Sequence, residues 1–76
     1  MIQVLFFGPL SDITGIAVLE LSEITDTDML TALLHNKYPS LEKSVYTISV
    51  NHILITQTQN LRDGDEIALL APFAGG

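Results

Sequence analysis

The sequence has 76 residues, of which 47% are hydrophobic and 16% charged, and its formal net charge is −6. That length sets one domain, and a domain this small buries only about 60% of the surface its unfolded chain exposes, so one sheet covered by one helix is the scale of core available. Nine acids stand against Lys37, Lys43 and Arg62, which excludes nucleic acid as a partner and makes an anionic membrane repulsive, because there is no row of cations to neutralise phosphates.

Ile2 to Phe7 reads as a first strand, broken by Gly8-Pro9. Residues 8 to 15 read as a loop with room for a short turn of helix, closing at Gly15. Ala17 to Leu21 reads as a second strand, antiparallel to the first through a long hairpin loop. Thr25-Asp26-Thr27-Asp28 matches a capping box, with Thr25 as the expected N-cap and Ile24 and Met29 as the expected hydrophobic staple. Acids in the first turn complement the helix dipole. Leu30, Leu33 and Leu34 then give one buried helical face. Tyr38-Pro39 stops the helix, because a residue before proline resists the helical conformation.

Tyr46 to Asn51 and Ile53 to Thr56 read as two short strands, with Asn51-His52 as the turn between them. Asp63-Gly64 is a strong turn signal and launches the last strand, Glu66 to Leu70. Pro72 ends that strand, and residues 72–76 read as a tail of a single domain spanning 1–76. The order β-β-α-β-β-β predicts an α+β chain: a mixed sheet of about five strands with one main helix on one face. It is the element order of the β-grasp (ubiquitin-like) fold.

The chain has no cysteine, so it offers neither a disulfide framework nor a thiolate, and a cytoplasmic location is expected. Met1 to Phe7 lacks the basic lead-in and small-residue cleavage site of a signal peptide. The longest unbroken apolar run, Ile67 to Ala71, is far below the roughly 18 residues of a membrane span. An acidic domain of this kind suits a basic protein partner, although the charge also serves solubility.

Leu61-Arg62-Asp63-Gly64-Asp65-Glu66-Ile67-Ala68, followed by Ala71-Pro72-Phe73-Ala74-Gly75-Gly76, closely resembles the end of the small subunit of molybdopterin synthase. The opening Val4-Leu5-Phe6-Phe7-Gly8, with Gly15 closing the next loop, resembles that family's start, and Val50-Asn51 its third-strand end. The resemblance covers essentially the whole chain. The terminal Gly-Gly is shared with every sulfur carrier and ubiquitin-like modifier, whereas Leu5-Phe6-Phe7-Gly8 points to the molybdopterin family over the thiamin-type carriers. Ser11, Ala71 and Phe73 depart from residues common in relatives: a basic residue, a proline and a smaller aliphatic one.

The resemblance implies a sulfur carrier that is non-catalytic alone. An E1-like adenylating enzyme would use ATP to form an acyl-adenylate on the carboxylate of Gly76. A sulfur donor protein would then convert it to a thiocarboxylate. The loaded tip would enter the molybdopterin synthase large subunit, in a heterotetramer, and donate sulfur to a cyclic pyranopterin phosphate in molybdenum cofactor biosynthesis. No bound cofactor and no metal are expected. Glycine suits the tail chemically, because without a Cβ the backbone of Gly75 and Gly76 can thread a narrow channel. Pro72 at the base cannot donate to a sheet ladder and directs the tail outward. A sulfur carrier for thiamin or cysteine synthesis, a ubiquitin-like modifier joined through Gly76 to a target lysine, and a plain binding module remain alternatives.

Alternation supplies independent support for a partner. If Val4 and Phe6 face the helix, Leu5 and Phe7 face outward, and Leu70 shares that outer face with Glu66 and Ala68. Leu5, Phe7, Leu70 and Phe73 are therefore expected to form an apolar patch near the tail, unless Leu10, Ile13 and Ile16 fold over it. Asp63, Asp65 and Glu66 are better explained by the turn than by a metal, and the resemblance suggests that they meet a basic groove of the activating enzyme. His35, near the helix end, and His52, in a turn, have no second ligand at metal spacing and are assigned no catalytic role. Ser11 and Ser40 lack a nucleophile context, and Lys37 and Lys43 read as surface residues.

Overall fold

The structure, a computed structural model, describes residues 1–71. In chain order the elements are β1 (Ile2–Phe6), α1 (Pro9–Thr14), β2 (Val18–Leu21), α2 (Thr27–Lys37), α3 (Pro39–Glu42), β3 (Thr47–Val50), β4 (Ile53–Ile55) and β5 (Glu66–Leu70). The strands form one sheet in the order β2-β1-β5-β3-β4. β1 and β5 pair in parallel at its centre, and every other pairing is antiparallel. This is the expected α+β, β-grasp arrangement, with the last strand inserted between the first and the third.

The period-2 pattern of the central strands builds the core. Ile2, Val4 and Phe6 of β1 and Ile67 and Leu69 of β5 are buried on the helix side. They meet Leu30 and Leu34 of α2, Leu41 of α3, Leu10 of α1, and Ile24, Val50 and Leu61. Each such aliphatic or aromatic side chain, fully removed from water, contributes roughly 1.5–3 kcal/mol. Leu33 is only partly buried, at the edge of the helical stripe. The Phe6 ring packs edge-on against Tyr38, with centroids 6.1 Å apart.

The start of α2 differs from the capping-box expectation by one residue. Asp26, not Thr25, is the N-cap: its backbone is extended and its carboxylate accepts from the Met29 backbone N–H at 2.7 Å. Thr25 is committed elsewhere, its carbonyl accepting from the Leu61 N–H at 2.9 Å. The one-residue shift also dissolves the expected staple. Ile24 enters the core, whereas Met29 remains 45% exposed.

Thr27 fastens this helix start to the chain that leads into β5. Its N–H donates to the Gln59 carbonyl at 2.9 Å, and its hydroxyl accepts from the Gln59 N–H at 3.0 Å. The otherwise irregular residues 56–65 are thereby held against the core.

Two short helices occupy segments without a helical period. Pro9, whose missing N–H costs nothing in a first turn, starts α1, and Gly15 closes it in the left-handed conformation while donating to Ser11 O at 2.8 Å. Tyr38 ends α2 as expected, and Pro39 then starts the single turn α3, which brings Leu41 into the core. Four residues are too few to show a period, so α3 leaves no trace in the sequence pattern.

Candidate functional site

The helices cover one face of the sheet and leave the other open. α1 packs against β1 and α3, and Leu10, Ile13 and Ile16 join the helix-side core. They therefore do not fold over the open face. Registered pairing sets a continuous row across that face: Val18 opposite Leu5, Leu5 beside Ala68, Ala68 opposite Ser49, and Ser49 opposite Leu54. All five side chains are apolar or small, and the row spans the full width of the sheet. Val18 is 49% exposed and Leu54 63%.

Leu5, Phe7, Ala68 and Leu70 line one shallow groove of about 320 Å³, with Leu54 and Ser49 on one side and His52 and Glu66 on its rim. Phe7 lies just beyond β1, but its N–H still donates to the Leu69 carbonyl at 3.3 Å, which holds it beside Leu70. Its ring is 47% exposed. The groove thus runs along the outer face of β5 from Glu66 to Leu70, and its Phe7–Leu70 end is the one from which the chain passes through Ala71. Of the expected patch, Leu5, Phe7 and Leu70 come together. Phe73, Pro72, Gly75 and Gly76 lie outside the described residues.

Asp63, Asp65 and Glu66 lie at the start of β5, where Glu66 is about 17 Å from Ala71 at the usual strand rise. Each has a partner of its own. Asp63 pairs with the N-terminal ammonium of Met1. Asp65 accepts from the Arg62 N–H at 2.8 Å and from Asn51 Nδ2 at 2.9 Å. These bonds, the backbone one first, hold its carboxyl below the usual range. Glu66 lies 3.3 Å from His52 Nε2. Gly64, at φ 90°, supplies the left-handed residue of this turn, and the Asp65 N–H closes it on the Arg62 carbonyl at 3.1 Å.

The sequence reading singled out neither Val18, Leu54 nor His52 for this face. Alternation within each strand assigns Val18 and Leu54 once the register is known, but the register rests on long-range pairing. His52 follows a positive-φ Asn51 in the two-residue turn between β3 and β4, and that geometry carries its imidazole over the open face.

Other polar features lie apart from the groove. His35 Nε2 is 2.7 Å from the Tyr46 hydroxyl, which ties the last turn of α2 to the start of β3. Burial raises the Tyr46 phenol, against a smaller opposing hydrogen bond from Thr31. A polar depression of about 440 Å³ between the start of α2 and β3–β4 is lined by Thr27, Asp28, Thr31 and Tyr46 among others and contains no nucleophile paired with a base. Among the described residues, no cluster of His, Cys, Asp or Glu has the composition of a metal site, and no helix is long and apolar enough to cross a membrane.

Comparison with known proteins agrees with this architecture. Residues 4–76 match the ThiS family. The molybdopterin synthase sulfur carrier subunit of Chlamydomonas reinhardtii is 27% identical, over 99% of this chain and 98% of that protein. A chain in the protein–protein complex of subunits 1 and 2 of the molybdopterin-converting factor from Helicobacter pylori is 34% identical and superposes with a TM-score of 0.77, covering 99% and 97% of the two chains. The small archaeal modifier protein 1 of Methanosarcina acetivorans is 29% identical with a TM-score of 0.77, over 99% and 95%. The chain therefore belongs to the ThiS family, and it is similar along its whole length to a molybdopterin synthase sulfur carrier subunit.

Proposed function

We propose that this protein is the sulfur-carrying small subunit of a molybdopterin synthase, that it acts through Gly76, and that it docks on a larger subunit through the open face of its sheet. One observation carries the reading: the apolar groove of Leu5, Phe7 and Leu70 adjoins the end of β5 from which the Gly75-Gly76 tail departs. A surface that binds a partner there would fix the base of the tail relative to that partner's active site. The similarity to a chain from a complex of subunits 1 and 2 supports the same partner.

In the proposed cycle, a carboxylate oxygen of Gly76 attacks the α-phosphorus of ATP in an E1-like enzyme, and pyrophosphate leaves. Hydrosulfide delivered by a donor protein adds to the acyl carbon, and AMP leaves with one former carboxylate oxygen. The resulting thiocarboxylate is a better nucleophile than the carboxylate it replaces. Its sulfur forms a C–S bond to a cyclic pyranopterin phosphate held by the large subunit, and water then cleaves the acyl C–S bond, which leaves the sulfur on the pterin and returns Gly76 as a carboxylate. A dithiolene contains two sulfurs and each tail carries one, so two loaded carriers are consumed per product. The described residues contain no nucleophile–base pair near the groove, so the acid–base groups are assigned to the large subunit.

The similarity to small archaeal modifier protein 1 favours a second reading, in which activated Gly76 is joined to a lysine amine of a target protein. Both readings share the adenylation step and part at the acceptor. The test is reconstitution: thiocarboxylated protein, subunit 2 of the same organism and the cyclic pterin phosphate are mixed, and dithiolene formation is followed. The carrier reading expects product in proportion to the thiocarboxylate supplied. Absence of product with active subunit 2 contradicts it, and Gly76-linked lysine adducts in cell extract would favour the modifier.

A further inference from the structure

The two-residue turn between β3 and β4 places Asn51 at φ 50° and His52 at φ 72°. Such turns favour glycine at the second position, and a side chain as large as imidazole is strained there. Asn51 earns its place structurally, because its amide bonds both Asp65 and the Glu66 N–H. Among the described residues, no comparable bond to the fold explains His52. Its ring is 86% exposed, lies on the rim of the Leu5–Phe7–Leu70 groove, and has Glu66 as its ion-pair partner, Nε2 to Oε2 3.3 Å.

Glu66 is the acid nearest the groove. It stands in the row next to the apolar one, beside Gln3, which in turn faces Glu20. An apolar row flanked by carboxylates, on a protein of net charge −6, fits a partner surface with an apolar ridge and a neighbouring Lys or Arg.

We propose that Glu66 is the cation acceptor of the docking face and that His52 competes for it. The inference rests on reading this face as the surface for the large subunit. With neutral His52, the carboxylate is free to pair with the partner's cation. With protonated His52, the carboxylate is already neutralised and an additional positive charge faces the partner. Docking therefore weakens on acidification, because histidine is the side chain that gains charge on going from about pH 8 to about pH 5.

Among the described residues, the charged groups around His52 are few. β5 contributes Glu66, and the preceding turn contributes Asp65 and Arg62, with Asp65 engaged by Asn51 and the Arg62 N–H. Ser49 and Val50 of β3 and Ile53 and Leu54 of β4 carry no charge.

The experiment measures the affinity of the full chain for subunit 2 of the same organism at pH about 5.5 and about 7.5 for the parent, His52→Gly and Glu66→Gln. Subunit 2 contributes its own titrations equally to all three, so the comparison between variants is the readout. The parent should lose about two- to fivefold more affinity on acidification than His52→Gly, the range typical of one exposed ion pair. Glu66→Gln should bind more weakly at the higher pH and lose the extra pH dependence. Equal pH dependence in the parent and His52→Gly overturns the proposal while leaving the docking surface standing. No binding at any pH overturns both.

A partner-free measurement accompanies it. The Glu66 carboxyl carbon shift, followed by NMR between about pH 7.5 and about pH 5.5, should change more in the parent than in His52→Gly. Absence of that difference overturns the proposal without reference to subunit 2. His52→Gly should unfold at the same denaturant concentration as the parent or a higher one, because glycine relieves the positive φ.

Discussion

Asn51 Nδ2 donates to Asp65 Oδ1 at 2.9 Å and pins the β3–β4 turn to the turn that precedes β5. The other Asp65 oxygen accepts from the Arg62 N–H at 2.8 Å, while Asn51 Oδ1 accepts from the Glu66 N–H at 3.0 Å. Two tight turns, one at Asn51-His52 and one at Gly64, thus brace each other at the end of the sheet remote from Ala71.

Asp65→Ala should lower stability by about 1 kcal/mol, discounted from a buried charged bond because the site is exposed. Its pH dependence has a definite sign. The Arg62 N–H, and secondarily the Asn51 amide, hold the Asp65 carboxyl below its ordinary value of 3.8. A carboxyl depressed in the folded state contributes stability above its unfolded value and loses it as pH falls through its folded value. Urea midpoints taken from about pH 5 to about pH 2 should fall more steeply in the parent than in Asp65→Asn. Parallel declines would contradict the assignment.

The cap of α2 gives a second prediction. Asp26→Ala removes the acceptor for the Met29 N–H and should cost about 1 kcal/mol, a Tm drop of about 4–8 °C in a domain this small. Thr25→Ala should cost clearly less, since its backbone carbonyl, which the substitution leaves in place, makes the bond to Leu61. Thermal unfolding of the two variants side by side decides it, and the reverse ranking would restore Thr25 as the cap.

Gly64→Ala isolates backbone strain from packing. A Cβ at Gly64 would meet nothing within 4 Å, yet the residue sits at φ 90°. The variant should lose about 1 kcal/mol by chemical denaturation, from the left-handed backbone alone. An unchanged midpoint would mean that the turn relaxes to another form.

Phe7→Asp should weaken binding to subunit 2 at least tenfold, as expected for an aromatic anchor at an interface, and leave the unfolding midpoint close to the parent's. The ring is 47% exposed and outside the core, so the fold does not depend on it. Titration calorimetry with a parallel denaturation curve checks both halves. Unchanged affinity, or an unfolded variant, counts against the docking surface.

What the sequence made legible follows the range of each signal. The alternation Ile2-Val4-Phe6 and the Asp63-Gly64 turn are local, and they place β1 and β5 to within a residue. The N-cap was misplaced because Thr25 and Asp26 are both competent acceptors, and only the long-range tie from Leu61 to Thr25 decides between them. α3 is one turn long and shows no period. The groove was partly legible: alternation put Leu5, Phe7 and Leu70 on one face, but Leu54 and His52 join it, and Val18 extends its face, only through pairing between strands. The extension of β5 likewise separates Asp63 and Asp65 from Ala71, although they are close to it in sequence.

The most direct test of the central claim is an intact mass of the full chain after incubation with ATP, a sulfide source and the activating enzyme of the same organism. The account predicts a gain equal to replacing one oxygen with sulfur, located at Gly76 by fragmentation and absent when Gly76 is deleted. An unchanged mass with an enzyme shown to be active, or a gain that survives the deletion, would contradict it.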